Sequence, residues 1–134
     1  MNRRILSLLV VLMVMLAVAS GCRKSIPIGS YGSNVDRHNV SADEVKTAII
    51  RAGASLGWVI VPAGDNMLEA TLNVRAHTLV VDIDYTSEHY LVRYKSSINL
   101  DYKDGKIHPQ YRNWVLNLQR HVDIELATLK TSTK

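Results

Sequence analysis

The feature that most constrains this chain is a strict alternation of apolar and polar residues that begins at Met67. A period of two is typical of β-strands with one buried face. The apolar positions are even-numbered up to His77 and odd-numbered from Leu79, so the phase changes near His77-Thr78. In an antiparallel hairpin this change keeps both apolar sets on one face, and the pattern therefore predicts a hairpin of defined register. The apolar positions are Leu68, Ala70, Leu72, Val74, Ala76, Leu79, Val81, Ile83 and Tyr85.

A third strand is predicted after the turn sequence Thr86-Ser87-Glu88-His89, where the apolar positions return to even numbers. The even phase continues as far as Tyr102, so we expect the strand to run past Ser96-Ser97, with a bulge as one way to accommodate the serines. Asp104-Gly105 then supplies turn residues that would close the sheet. The apolar positions of this run are Tyr90, Val92, Tyr94, Ile98, Leu100 and Tyr102.

A helix is predicted from Ser41, because Ser41 and Glu44 have the spacing of a capping box. Apolar residues recur at intervals of three and four, and Gly57 is placed to end the helix in the left-handed conformation. A β-rich run then begins at Trp58 and is expected to stop at Pro62, before a loop. The apolar stripe of the helix is Val45, Ala48, Ile49, Ala52 and Leu56.

A second helix is predicted after His108-Pro109, because a proline near the first helical position loses no hydrogen bond. Its apolar stripe runs from Tyr111 to Leu129 and includes Trp114. The predicted order α-β-β-β-β-α indicates a single α+β domain over residues 41–130. In it, an N-terminal and a C-terminal helix would pack on one face of a four-stranded antiparallel sheet. Residues 131–134 are expected to fray.

The N-terminal segment has the composition of a secretory signal, with two arginines, an apolar run over residues 5–19 and small residues before Cys22. The run is shorter than the roughly 20 residues needed to span a bilayer. The sequence Val18-Ala19-Ser20-Gly21-Cys22 resembles the lipobox of bacterial lipoproteins, although Ala19 stands where that family more often has Leu. The resemblance implies removal of residues 1–21 by cleavage between Gly21 and Cys22, with a lipid on Cys22.

Residues 22–40 are rich in Gly, Ser and Asn and have no helical or strand period. We predict a lipid-anchored flexible linker here. The alternative is that Ile26, Ile28 and Tyr31 lie along the surface of the domain.

Charge and cysteine content exclude several classes of function. The formal charge of +4 includes Arg3 and Arg4, and their removal leaves 14 basic against 12 acidic residues, or +2. This balance does not indicate a nucleic-acid-binding protein. With Cys22 lipidated, the domain has no thiol for a disulfide, a catalytic nucleophile or a metal site.

The acidic residues of the second strand of the predicted meander are best interpreted as ion-pair partners. Asp82 and Asp84 share its polar face, beside Arg75 and Arg93 on the flanking strands, so cross-strand pairs are expected rather than acid-base catalysis. The sequence has no nucleophile triad pattern, phosphate-binding loop or metalloprotease motif. We therefore predict no catalytic residues and no cofactor.

The histidines do not predict a metal site. His77 and His89 are expected at opposite ends of the meander, a strand length apart and beyond the reach of one metal ion. We interpret both as solvated turn residues, His108 as a helix-start residue and His121 as a boundary residue.

Most of the predicted domain resembles a group of small lipoproteins of Gram-negative bacteria. The similar segments are Glu69–Arg75, Leu79–Tyr85, Ser97–Tyr102, Ile107-His108 and Tyr111-x-x-Trp114. The group is functionally uncharacterised, so the resemblance implies a lipoprotein with one αβ domain and transfers no site residues.

These observations predict a non-enzymatic lipoprotein tethered to the membrane and facing the periplasm, which acts as a protein-interaction or envelope accessory domain. The candidate interaction face is the polar side of the sheet, with Arg75, Asp82, Asp84, Arg93 and Lys95 as its charged residues.

Two further expectations concern a ligand-binding pocket and the membrane to which the protein is anchored. The alternative function is binding of a small ligand in a pocket between sheet and helices, lined by Trp58, Tyr90, Tyr94 and Trp114. The outer membrane is the expected address, because Arg23 follows the cysteine where enterobacterial inner-membrane lipoproteins typically carry Asp.

Overall fold

The structure is a computed structural model that describes residues 24–35 and 40–129. These residues form seven strands and two helices, and the predicted α+β class is confirmed. The elements are β1 (Ile26–Pro27), β2 (Tyr31–Asn34), α1 (Ala42–Ser55), β3 (Trp58–Gly64), β4 (Met67–Val74), β5 (His77–Tyr85), β6 (His89–Ile98), β7 (Lys106–Ile107) and α2 (Gln110–Thr128). A five-stranded antiparallel sheet has the order β2-β6-β5-β4-β3, and β1 pairs with β7 in a separate two-stranded sheet.

The meander of β4, β5 and β6 has the facing that the alternation predicts, with even-numbered residues of β4 and β6 opposite odd-numbered residues of β5 on the inner face. Leu72 pairs with Leu79, and Ile83 pairs with Val92, so the inward side chains of the three strands meet on one face. The β4–β5 connection lies earlier than expected, at Arg75-Ala76. Arg75 has φ 55°, the positive value that a two-residue hairpin loop requires at its first position.

The prediction of four strands is wrong, because residues 26–35 contribute two strands of their own. β2 pairs with β6 from Tyr31↔Val92 to Asn34↔His89 and forms an edge of the sheet. The flexible linker predicted for residues 22–40 is therefore wrong over residues 26–35, and the alternative of a segment lying along the domain applies. β2 has Tyr31 as its one large apolar side chain, so it shows no alternation that would reveal a strand.

β3 is longer than predicted, because it continues through Pro62 to Gly64. Proline cannot donate a hydrogen bond to a neighbouring strand, so it is tolerated within a sheet only at an edge. β3 is the edge strand opposite β2, and Pro62 pairs with Leu68 of β4. The following turn, Asp65-Asn66, has Asn66 at φ 53°.

β6 contains the bulge that the serine pair suggested, but the bulge changes the phase. The register shifts between Val80 and Val81, where Lys95 is the extra residue of β6. Ile98 consequently lies on the outer face of the sheet, and Tyr102 beyond the strand is also exposed, so the predicted even phase is wrong at both positions. Leu100 is buried as expected.

Both helices pack on the inner face of the sheet. The capping box of Ser41 and Glu44 is present at the start of α1, and Gly57 has φ 85° just after its end, as predicted. α1 contacts β3 and β5, α2 contacts β2, and the helices contact each other. The buried residues of α2 are Tyr111, Val115, Leu118, Val122 and Leu126.

No helix among the described residues is long and apolar enough to cross a membrane. The predicted signal segment 1–21, the lipidation site Cys22, Arg23 and the tail 131–134 lie outside the described residues.

Candidate functional site

The first candidate site is the outer side of the five-stranded sheet, which we call the open sheet face because the helices cover the other side. Glu69, Asp82 and Arg93 pair across β4, β5 and β6 in one row of this face. Arg93 reaches diagonally to Asp84, with Nη2 at 2.6 Å and Nε at 2.7 Å from Oδ2. The predicted cross-strand ion pair of Asp84 and Arg93 is therefore confirmed.

Lys95 joins two carboxylates from its position at the bulge. Its Nζ lies 2.7 Å from Glu69 Oε2 and 3.3 Å from Asp82 Oδ1. The hydrogen bond to Glu69, followed by that to Asp82, raises the pKa of Lys95. Asp82 Oδ1 is shielded from solvent, and the Lys95 ammonium 3.3 Å away compensates its charge.

Arg75 does not belong to this network. It lies in the β4–β5 turn, two residues before β5, and not on the strand where the alternation placed it. The prediction that Arg75 pairs with the aspartates is wrong, because the two-residue turn ends β4 at Val74.

The open sheet face also has an apolar part. Val59 is 63% exposed and Ile98 is 60% exposed, and Val80 lies on the same side between them. Val59, Thr71 and Val80 form one row across β3, β4 and β5. The face thus combines ordered charges with accessible apolar side chains, and exposed Val61 and Leu91 lie in the charged rows themselves.

The second candidate site is a cleft of about 630 Å³ at the end of the sheet, which we call the end cleft. The β4–β5 turn, the start of β5, the chain after β6 and the first turns of α2 form its walls. Its polar lining residues are Arg75, His77, His108 and Gln110, and its apolar lining residues are Val74, Leu100, Pro109 and Trp114.

His77 is held in one tautomer by its hydrogen bond. Its Nδ1 lies 2.7 Å from the Asn99 carbonyl oxygen, which can only accept, so Nδ1 carries the proton. In the neutral ring, Nε2 is then an acceptor. The ring packs against Trp114 at a centroid distance of 6.2 Å. His77 is therefore a half-buried strand residue, and its prediction as a solvated turn residue is wrong.

His108 is held in the opposite tautomer. The backbone amide of Gln110 donates to His108 Nδ1 at 3.1 Å, so this nitrogen is unprotonated and the ring proton is on Nε2. This hydrogen bond satisfies an amide at the start of α2. His108 is a helix-start residue, as predicted, and it also presents an N–H donor to a site it lines.

The other residues considered in the sequence analysis do not come together in one site. His77 and His89 lie beside opposite ends of β5, as predicted, and the described residues include no cluster of three metal-ligating side chains. Trp58 and Tyr90 are buried in the core instead of lining a pocket, and of the four aromatic residues proposed for a ligand only Trp114 lines the end cleft.

Sequence reasoning missed the end cleft because its residues come from four separate segments. The local signals that existed were a turn arginine and a histidine before a helix proline, and neither indicates a shared site.

No protein-family model matches the chain, and no curated protein is significantly similar to it.

Proposed function

We propose that this protein is a lipid-anchored, non-enzymatic lipoprotein of the outer membrane that faces the periplasm and docks a partner protein on its open sheet face. The observation that carries the proposal is the composition of that face. Its ion pairs are ordered across three strands, while Val59 and Ile98 remain mostly exposed on the same side.

A protein interface uses both exposed apolar side chains and ordered charges. Exposed apolar side chains supply area that a partner can remove from water, and fixed charges of both signs orient the partner and speed its association. The anchor on Cys22 is supported by the lipobox resemblance, and the outer-membrane address by Arg23 at the position after the cysteine.

The test is crosslinking of the full-length chain in intact cells. We expect Val59→Lys combined with Ile98→Lys to remove the crosslinked partner, because two charges replace accessible apolar contacts. The matched control is Leu116→Lys combined with Ile124→Lys, which changes two exposed apolar residues of α2 instead. Partner crosslinks that survive in the face variant, at equal abundance and melting temperature, would rule out this docking surface.

The address is tested separately by density-gradient separation of the two membranes. We expect the protein in the outer-membrane fraction, and recovery with the inner membrane would contradict that part of the proposal.

A further inference from the structure

The end cleft is lined by hydrogen-bond donors and one acceptor, and two of these groups, the rings of His77 and His108, are held by backbone hydrogen bonds. Arg75 supplies a guanidinium, His108 supplies Nε2–H and His77 supplies the Nε2 acceptor. The two ring tautomers are opposite because one ring donates to a backbone carbonyl and the other accepts from a backbone amide. This arrangement persists without a ligand, because protein backbone groups hold both rings.

The charge of the lining favours an anion. Arg75 is its permanent cation, and none of the residues that line the cleft is acidic. One fixed positive charge matches a singly charged group, and the planar guanidinium fork matches the two oxygens of a carboxylate. The volume of about 630 Å³ lies within the range of small-molecule sites.

The apolar wall of the cleft and the His77 acceptor further restrict the class of ligand. Val74, Leu100 and Trp114 can bury an apolar side chain next to the carboxylate. His77 Nε2 can accept a hydrogen bond from an N–H of the same ligand. A carboxylate, an amide N–H and an apolar side chain attached to one carbon atom are the groups of an N-acylated apolar amino acid.

We propose that the end cleft binds an N-acyl apolar amino acid, either as a free molecule or as the C-terminal residue of a peptide. Its carboxylate pairs with Arg75 and His108, its amide N–H donates to His77, and its side chain packs against Trp114. This site is separate from the open sheet face and does not depend on the docking proposal.

The experiment is titration of the folded protein, followed by backbone amide NMR shifts and tryptophan fluorescence. The probes are N-acetyl-leucine, its neutral amide N-acetyl-leucinamide, a tripeptide ending in leucine and the same tripeptide amidated. We expect saturable shifts at the cleft residues with the two carboxylates, and binding at least about 10-fold weaker for each amide, because a charge-assisted contact is lost. Equal binding of acid and amide would overturn the proposal.

The two possible sources of the ligand are distinguished by comparing the affinities of N-acetyl-leucine and of the tripeptide with a free carboxylate. Tighter binding of the tripeptide indicates a peptide C-terminus, whereas equal or weaker binding indicates a free acyl amino acid, and both outcomes support the site. Absence of shifts with every probe at millimolar concentration would exclude it.

Variants assign the contacts. Arg75→Asn removes the charge while keeping a residue that tolerates positive φ, and we expect about 10-fold weaker binding of N-acetyl-leucine. The matched control, Arg51→Asn on the exposed side of α1, should bind like the parent. Unchanged affinity in Arg75→Asn, with an unchanged melting temperature, would contradict the assignment. The pair Val59→Lys and Ile98→Lys should leave binding in the cleft unchanged, so the two proposals fail independently.

Discussion

At the scale of single residues, Tyr90 joins the sheet to α2 through a hydrogen bond inside the protein. Its hydroxyl donates to Asp123 Oδ1 at 2.7 Å, and Ser33 Oγ donates to Oδ2 of the same carboxylate at 3.3 Å. Burial, with the hydrogen bond to Asp123, raises the pKa of Tyr90 far above its ordinary value. These two contacts show that Asp123 on α2 faces β6 and β2.

We expect Tyr90→Phe to lower the free energy of unfolding by about 1–3 kcal/mol, because a partly buried carboxylate loses its donor. Urea denaturation measures the change. Tyr102→Phe is the matched control, since Tyr102 is exposed and its change should have little effect. Equal stability of both variants would show that the hydrogen bond contributes nothing.

Glu44 predicts a pH dependence at the start of α1. Hydrogen bonds from the backbone and side chain of Ser41 hold the pKa of Glu44 below its unfolded value of 4.5. A carboxylate with a lowered folded pKa contributes stability that is fully present above the unfolded pKa and is lost as the pH falls through the folded pKa.

We therefore expect Glu44→Gln to be less stable than the parent at pH 7, and the difference to shrink progressively below pH 4.5. Glutamine keeps the capping geometry, so the comparison isolates the charge. Thermal melting at pH 7 and at acid pH provides the measurement, and a difference that is constant with pH would contradict it.

At the scale of elements, the two edges of the sheet are protected in different ways. β2 lies against α2, where Gln119 Nε2 donates to the Gly32 carbonyl at 3.0 Å. β3 forms the opposite edge and contains Pro62, which cannot donate to an added strand. The tyrosine of α2, Tyr111, also donates to the Gly29 carbonyl at 2.8 Å and so holds the chain before β2.

The close approach of β2 to β6 makes Gly32 a sensitive position. A β-carbon at Gly32 would overlap the Tyr90 carbonyl oxygen and lie 3.0 Å from Leu91 Cα, and backbone atoms cannot move aside cheaply. We expect Gly32→Ala to cost about 1–3 kcal/mol, as for other overpacked sites, and to increase amide exchange in β2. Gly29→Ala is the control, because its nearest atoms belong to the movable side chain of Tyr31. Unchanged exchange in the Gly32 variant would contradict the pairing of β2.

At the scale of the whole molecule, the proposed anchor lies close in sequence to the first strand of the domain. The first strand, β1, begins at Ile26, four residues after the predicted lipid site at Cys22. A domain that starts with paired strands at residues 26 and 31 would sit near the membrane surface rather than at the end of a long tether. The predicted spacer is therefore shorter than its composition suggested.

We expect Cys22→Ala to abolish incorporation of labelled fatty acid and to release the processed protein from washed membranes. Each buried methylene of an acyl chain contributes about 0.8 kcal/mol to anchoring, so several chains hold the protein firmly. Fatty-acid labelling and membrane washing measure the two effects, with Cys22 intact as the reference. Label on the variant, or its retention after washing, would contradict lipid anchoring at this residue.

The sequence by itself determined the meander, both helices and their shared face. Alternation specifies register because a slip of one residue would expose every inward side chain between Leu68 and Tyr94. The capping box at Ser41 likewise marks a helix start within four residues of sequence. Both signals are local, because the residues that specify the strand register or the helix start lie in one continuous segment of the chain.

Only the tertiary structure decided the features that join distant segments. β2 is a strand because β6 offers it a partner and Gly32 permits the contact, and β3 extends through Pro62 because it lies at an edge. The bulge at Lys95 sends Ile98 outward and lets Lys95 reach Glu69. The end cleft likewise exists only where turn, strand and helix meet, because no local pattern encodes which chain ends the sheet brings together.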